Sequence, residues 1–359
     1  MLSWHNRFSK YPVETVLEVL LKFVHTADTH LGFEVTKRPQ CHPQGRKWRA
    51  DAIFNNFLAV VQYALEHKVD LFIHSGDLLN KYYIPRENLN DLTRPIIDLA
   101  SAGVRVLVIP GNHERSEFPF DLFHGSPRIF VFDRPKSLSF VLDGYSVGIA
   151  GFPFIRNDSK RTFLKALMET EYKSLRSDFN LLVTHQAFDM ATVGPIGFIF
   201  RAGRSDTVSR QTIPLDFEYI AAGHIHRYQI LTHPLKPTLQ FVYPGSTQRM
   251  SFAEMYEEKG FVEGELMNDR IETRFLPLPT HNMELVEIET AGRTGEECEN
   301  DIRDQFWRLR DDLVIRFNLT GGTKKRDYPD IDFDRIRADM PETVECHFAI
   351  KAGTKWILK

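Results

Sequence analysis

The chain is poor in cysteine: three among 359 residues, Cys41, Cys298 and Cys346, far apart and with no C-x-x-C pair. That excludes a disulfide framework and a cysteine zinc site, and fits a reducing, cytoplasmic setting. No apolar run is long enough to span a bilayer. The apolar stretch from Val13 to Val24 is broken by Glu14, Glu18 and Lys22, so it is not a signal-peptide core. Neither sign of charge dominates, with a net charge of −3; a polyanion would have to be held by a local patch or by metal ions rather than by a global positive field. Internal repeats, low-complexity tracts and P-loop glycine spacing are all absent. The length and the 42% hydrophobic content leave room for about two domains with real cores.

What is present is an alternation of short apolar runs with helical patterns. Lys22 to Ala27, Val69 to Ile73 and Val104 to Ile109 read as strands. Between them, Asp51 to Glu66 has Ile53, Phe54, Phe57, Leu58, Val61, Ala64 and Leu65 at helical spacing, and Leu89 to Ala100 is a second helix. This β-α-β-α-β series predicts an α/β layer architecture. Strand-like runs without helices follow at 129–132, 138–141 and 147–150, then at 181–183, 219–222, 228–231 and 239–242, which predicts a second, partly antiparallel sheet. Pro277-Leu278-Pro279-Thr280 reads as a linker, since two prolines two apart resist both helix and sheet. The expected division is an N-terminal extension over 1–21, a main domain over 22–276 and a small α+β unit over 281–359.

Chemistry gathers after the strands. Asp28-Thr29-His30 puts a carboxylate and an imidazole two apart, on one side if the chain there is extended. Gly76-Asp77 follows the second strand, and Gly111-Asn112-His113-Glu114 the third. His185 follows the run 181–184, and Gly223-His224-Ile225-His226 follows 219–222. Each motif alone is weak; their order, each at a strand end, is hard to produce by accident. Asp28, His30, Asp77, Asn112, His185, His224 and His226 make seven candidate metal ligands carrying two formal negative charges. Imidazole with carboxylate suits manganese, iron or zinc better than magnesium or calcium. Two divalent ions there leave an excess positive charge suited to a phosphodiester, and such a pair stabilises the attacking and leaving oxygens of an in-line displacement. Asp77 has two oxygens to share between the ions. His113, not needed for coordination, is the candidate catalytic acid toward the leaving oxygen.

These residues resemble the calcineurin-like metallophosphoesterase superfamily, whose fold is a two-sheet β-sandwich flanked by helices. More narrowly, the chain is similar to the nuclease subunits of double-strand-break repair, bacterial SbcD and its meiotic-recombination-type relatives. Tyr243-Pro244-Gly245-Ser246-Thr247-Gln248-Arg249 followed by Lys259-Gly260-Phe261 matches that branch's Pro-Gly-Ser-x-x-Arg and Lys-Gly-Phe stretch. The resemblance implies Asp28, His30, Asp77 and His226 around one ion, and Asp77, Asn112, His185 and His224 around the other, with manganese as the expected metal. It implies a DNA exonuclease and endonuclease of end processing and repair, with a small C-terminal α+β capping domain. Implied partners are DNA, a second copy of the chain in a homodimer, and an SMC-like ATPase of the SbcC type. The chain stops at Lys359, with little room for the region that would grip such an ATPase, and Asn80 stands where relatives often carry a histidine.

The basic stretch Lys37, Arg38, Arg46, Lys47 and Arg49, expected to be a loop, reads equally as a solvated surface or a phosphate contact; Arg249 joins it as a candidate DNA-binding residue. Arg201, Arg204 and Arg210 carry the same two readings. His25 and His74 have no partner pattern and read as structural. The rival functions are a metallophosphodiesterase acting on a small nucleotide or other non-DNA diester, and a catalytically silent DNA-binding subunit. A protein phosphatase is disfavoured, because Asp77 is followed by Leu78, Leu79, Asn80 and Lys81 rather than by the arginine that branch uses.

Overall fold

A computed structural model describes residues 19–33, 43–80, 84–114, 118–123, 125–142, 144–156, 159–267, 270–322, 324, 327–352 and 355–358. In chain order the first half is β1 (Val19–Thr26), α1 (Pro43–Glu66), β2 (Leu71–His74), α2 (Arg86–Ser101), β3 (Arg105–Val108), β4 (Ile129–Val131), β5 (Lys136–Leu142), β6 (Tyr145–Gly151), α3 (Ser159–Glu169) and β7 (Phe179–His185). Four two-residue strands follow: β8 (Ala187–Phe188), β9 (Thr192–Val193), β10 (Phe198–Ile199) and β11 (Thr207–Val208). Then come β12 (Tyr219–Gly223), β13 (Gln229–His233), β14 (Lys236–Tyr243), β15 (Gly260–Met267) and β16 (Ile271–Pro277).

These strands make two six-stranded sheets, ordered β16-β15-β1-β2-β3-β4 and β13-β14-β12-β7-β6-β5. Their facing sides close on Phe23, Ile73, Leu107, Ile149, Val183, Ala221 and Val242. The outer side of the first sheet is covered by α1 and α2 through Phe57, Val61, Ile96 and Leu99, and that of the second by α3 through Phe163 and Leu167. β2 and β12 are buried along their whole length, as expected of strands with both faces covered. The sandwich flanked by helices is the architecture expected from the sequence.

Register sets the position of the candidate site. β1, β2 and β3 run parallel with Thr26 opposite His74 and His74 opposite Val108. β7 and β12 run parallel with His185 opposite Gly223. Five strands therefore end at one rim, and the loops beyond their carboxyl ends must meet there.

The small unit consists of β17 (Asn282–Glu289), α4 (Gly295–Arg303), β18 (Leu313–Thr320), α5 (Phe333–Asp339), β19 (Val344–Ala352) and β20 (Lys355–Leu358). Its first three strands are parallel, with the helices as crossovers, and β20 is antiparallel to β19. It has its own core, with Ile302, Ile315, Phe317, Ile336 and Phe348 fully buried. α4 starts on a capping box in which Thr294 and Glu297 satisfy each other's backbone N–H. No helix among the described residues is long and apolar enough to cross a membrane.

One expectation is corrected. The basic stretch is not a loop through residue 49, because α1 already begins at Pro43. Proline at the first helical position costs no hydrogen bond, so the helix starts ahead of its apolar periodicity, and Arg49 within that first stretch packs on polar partners. Arg49 is buried and its guanidinium donates to Glu345 Oε1 of β19 (2.8 Å) and to the carbonyls of Arg249 and Met250. Burial raises the Glu345 carboxyl, yet Arg49 and His347 outweigh it and hold it at about 2.

Removing one partner of a buried pair strands the other charge. Arg49→Ala should destabilise the protein by roughly 3–5 kcal/mol, read by denaturant unfolding. Because the folded Glu345 carboxyl is depressed from 4.5 to about 2, its contribution is full above pH 4.5 and lost on acidification toward 2. The deficit of Arg49→Ala should therefore shrink across that window.

Candidate metal centre

The first loop at the rim is not extended. Asp28 and His30 have φ +50° and +49°, and Asp77 and His224 have +54° and +87°. Left-handed backbone at non-glycine residues costs of order 1–3 kcal/mol each and persists only where the surroundings dictate it. Here they do. Asp28 N donates to Gly76 O (3.0 Å), His30 N to Asp77 O (3.0 Å), and His224 N to both oxygens of Asp28 (3.1 and 3.3 Å). Asp28 and His30 thus converge through two turned residues rather than through strand alternation. Glycine is required beside them: a Cβ on Gly76 would lie 2.2 Å from His185 Nδ1, and one on Gly111 would lie 2.1 Å from Asp77 Oδ1.

All seven candidate ligands come together. Asp28 Oδ1 lies 3.8 Å from His226 Nε2 and 3.9 Å from His185 Nε2, so the two halves of the set share one pocket. His30 Nε2 lies 3.1 Å from His226 Nε2. Asn112 Oδ1 lies 3.1 Å from His185 Nε2 and 2.8 Å from His224 Nδ1. Asp77 stands between, with Oδ2 3.4 Å from His185 Nε2 and 3.9 Å from both His30 Nε2 and His113 Nε2. Three subsets have ligand atoms mutually close enough for one cation: Asp28, His30 and His226; His30, Asp77 and His113; and Asp28, Asp77 and His185.

The donor chemistry fits divalent cations. His185 Nδ1 donates to Ser75 O (2.8 Å), which turns the lone pair of Nε2 inward. His226 Nδ1 faces Glu254 Oε1 at 3.2 Å, with the same result. Burial pushes His30 well down and, together with His185, lowers His224 to about 3; both are then neutral. At Asp77 burial raises the carboxyl, but His185, His30 and His113 overcome it and hold it far down. Asp28 is raised by burial in spite of His185 and His226. His185 is opposed by burial, yet the carboxylates of Asp77 and Asp28 lift it to about 9. A proton on that imidazole occupies the place where a cation would offset the same two carboxylates.

His113 sits at the mouth, 41% exposed. Its backbone N–H donates to Asp77 Oδ1 (2.9 Å), its Nδ1 faces Asn80 O (2.9 Å), and its ring stands edge-on to His30 at 4.6 Å. Residue 80 thus contributes through its main-chain carbonyl, which any residue type supplies. Glu114, the last residue of its motif, accepts from Leu79 N and Gly111 N (2.9 and 2.6 Å) and ties two of the loops together. Burial and Asp77 push its carboxyl up to about 8, against those two donors.

Sequence reasoning assigns no role to Glu254. This buried carboxylate accepts from Met250 N and from the hydroxyls of Ser246 and Ser251 in addition to His226. Lys259, itself buried, pairs with it at 2.8 Å and donates to His226 O. The Pro-Gly-Ser to Lys-Gly-Phe stretch is therefore the support of His226. A glutamate three after Ser251 was the available signal. His25 and His74 form a layer beneath the site, as structural residues: His25 lies between Tyr219 Oη and Ser75 Oγ (2.9 and 2.8 Å), and His74 Nε2 faces Thr29 Oγ1 (3.0 Å).

Two of the candidate DNA contacts, Arg49 and Arg249, have described side chains. Arg49 is consumed at the boundary with the small unit, and Arg249 is turned inward, donating to Glu257 O and His281 O; neither is a free phosphate-binding group. Lys37 and Arg38, and the side chains of Arg46 and Lys47, lie outside the described residues. Arg204 pairs with Asp206 and Arg210 with Asp189, which leaves Arg201 exposed.

A family model described as calcineurin-like phosphoesterase matches residues 21–228. Among curated proteins, the chain is 28% identical over 264 residues to the DNA double-strand break repair protein Mre11 of Methanococcus maripaludis, covering 69% of this chain and 64% of that protein. It is 29% identical to the protein of the same name from Aeropyrum pernix, covering 65% and 55%. It is 25% identical to the SbcD component of the nuclease SbcCD of Staphylococcus saprophyticus, covering 81% and 78%. The chain thus spans 55 to 64% of the length of the two archaeal relatives.

Two outcomes follow from the geometry. Loss of a carboxylate that orients a ligand histidine typically costs 10–100-fold in metal affinity. Glu254→Gln should weaken divalent-cation binding by about that factor in calorimetry, with the fold intact by circular dichroism. Gly76→Ala, which places a Cβ against His185 in a left-handed residue, should lower the melting temperature and abolish cation binding.

Proposed function

Because the chain belongs to the calcineurin-like phosphoesterase family, we propose that it is a DNA nuclease dependent on two divalent cations, manganese by expectation. It would act as exonuclease and endonuclease on broken or structured DNA ends. The carrying observation is the meeting of Asp28, His30 and His226 with Asn112, His185 and His224 on either side of Asp77. The assignment to DNA is supported by the names of the relatives and by the stretch 243–261, which resembles that branch's pattern and braces His226.

When bound, the cations supply Lewis-acid stabilisation of the attacking and leaving oxygens. The protein's own part is positional. Asp28, His30, Asp77 and His226 would hold one ion, and Asp77, Asn112, His185 and His224 would hold the other. Asp77 Oδ1 is fixed by the His113 N–H, which leaves Oδ2 facing both sides of the cluster. His113 Nδ1–H donates to Asn80 O, so Nε2 is the atom that takes up and delivers a proton. Half-exposed above Asp77, it faces the position of a leaving oxygen, and protonating that oxygen removes the charge the departing strand would otherwise carry.

The test is cleavage of end-labelled DNA with and without manganese. His113→Ala should retain two bound cations and lose turnover by roughly 10²–10⁴-fold, whereas Asp77→Asn should lose both. Wild-type protein that hydrolyses a phosphomonoester but leaves DNA intact would overturn the assignment.

A further inference from the structure

The segment between β7 and β12 carries an exposed apolar apex that the metal cluster leaves unused. β9 and β10 pair antiparallel, with Val193 opposite Phe198, around the turn Gly194-Pro195-Ile196-Gly197. Both turn glycines are left-handed, at φ +71° and +65°, and Gly197 N donates to Gly194 O (3.1 Å). The turn lifts Ile196 to 93% exposure, above Phe198 and Ile199 at 42% each. The base of the hairpin is fixed. Gln229 exchanges side-chain hydrogen bonds with the backbone of Thr192 (2.8 and 3.0 Å), and the Arg227 guanidinium donates to Gly194 O (2.6 Å). Arg227 and Gln229 follow His226 by one and three residues, so the hairpin is anchored at the margin of the cluster. Arg227 also pairs with Glu257 (2.9 Å), next to Tyr256, which is 81% exposed.

Resting on the nuclease reading, we propose that this apex, with Tyr256 across Arg227, engages the unstacked bases at the end of a DNA duplex and holds the terminal pair open. The phosphate backbone offers nothing to isoleucine and phenylalanine; the faces of bases do, and apolar side chains that wedge between base steps are a known way to open a duplex. A duplex hides those faces everywhere but at its ends. A contiguous exposed apolar patch marks an interaction site, and the base of this one is held by Gln229 and Arg227, next along the chain from His226. Arg201, exposed two residues beyond Ile199, adds a positive charge for the displaced strand.

The experiment compares wild type with an Ile196→Ser/Phe198→Ser variant and with Tyr256→Ser. None of these residues is in the cluster, so hydrolysis of bis-p-nitrophenyl phosphate should be unchanged and should report an intact site. Two readouts then use a blunt duplex carrying 2-aminopurine at its terminus: fluorescence on binding in calcium, and cleavage in manganese. Wild type should brighten the probe. The double variant should not, and it should cut the duplex about tenfold more slowly while losing much less on the same sequence as a single strand. Equal brightening and equal duplex rates would overturn the proposal while leaving the nuclease reading in place. A dimer in wild type that becomes a monomer in the variant, with duplex cleavage unchanged, would also overturn it and would assign the apex to contact between copies. Wild type that hydrolyses the small diester but neither binds nor cuts DNA would overturn the nuclease reading and this proposal together.

Discussion

Everything at the rim depends on crowding lone pairs. Two carboxylates, a carboxamide and four imidazoles are held with their donor atoms between 2.8 and 3.9 Å from a neighbour's in a largely buried pocket, where acceptor facing acceptor is unfavourable. The side chains alone would not stay there. The backbone compels them: four residues are forced into the left-handed region, and each is tied to a neighbouring loop by its own N–H or C=O. The strain is offset by two sheets whose facing sides are closely packed, since a rigid sandwich is what lets loops from five strand ends be specified together.

Much of this was legible in the sequence, and the reason is physical. Parallel strands end at one edge, so a polar motif at the end of each apolar run is already a statement about proximity. Asp28, Asp77, Asn112, His185 and His226 could be placed together without coordinates for that reason. The apolar periods made the α/β layer and a second sheet legible, while the sandwich itself came from the resemblance; β15, β16 and α3 were not read from the periods. What could not be read was conformation against type. Nothing in Asp28-Thr29-His30 announces left-handed backbone at an aspartate and a histidine; that comes from tertiary hydrogen bonds to residues 76, 77 and 224.

Polar residues with buried tasks were equally hidden. Arg49 has the composition of a surface group, and only its meeting with Glu345, nearly 300 positions away, makes it internal. Glu254 is an ordinary exposed-looking glutamate until the turn at 251–254 directs it to His226. Long-range pairings of this kind have no local pattern, so charge on a sequence predicts chemistry less well than the order of motifs does.

The arginine that links α1 to β19 reaches further than its own contacts. Arg49 grips Glu345 with one nitrogen and the carbonyls of Arg249 and Met250 with the other. The amide of Met250 is bound by Glu254, and Glu254 steadies His226. The seating of the small unit and the aim of one metal-facing imidazole are thus links in series within a single polar chain. Free-energy changes made at its two ends share intermediates and will not sum as independent perturbations do.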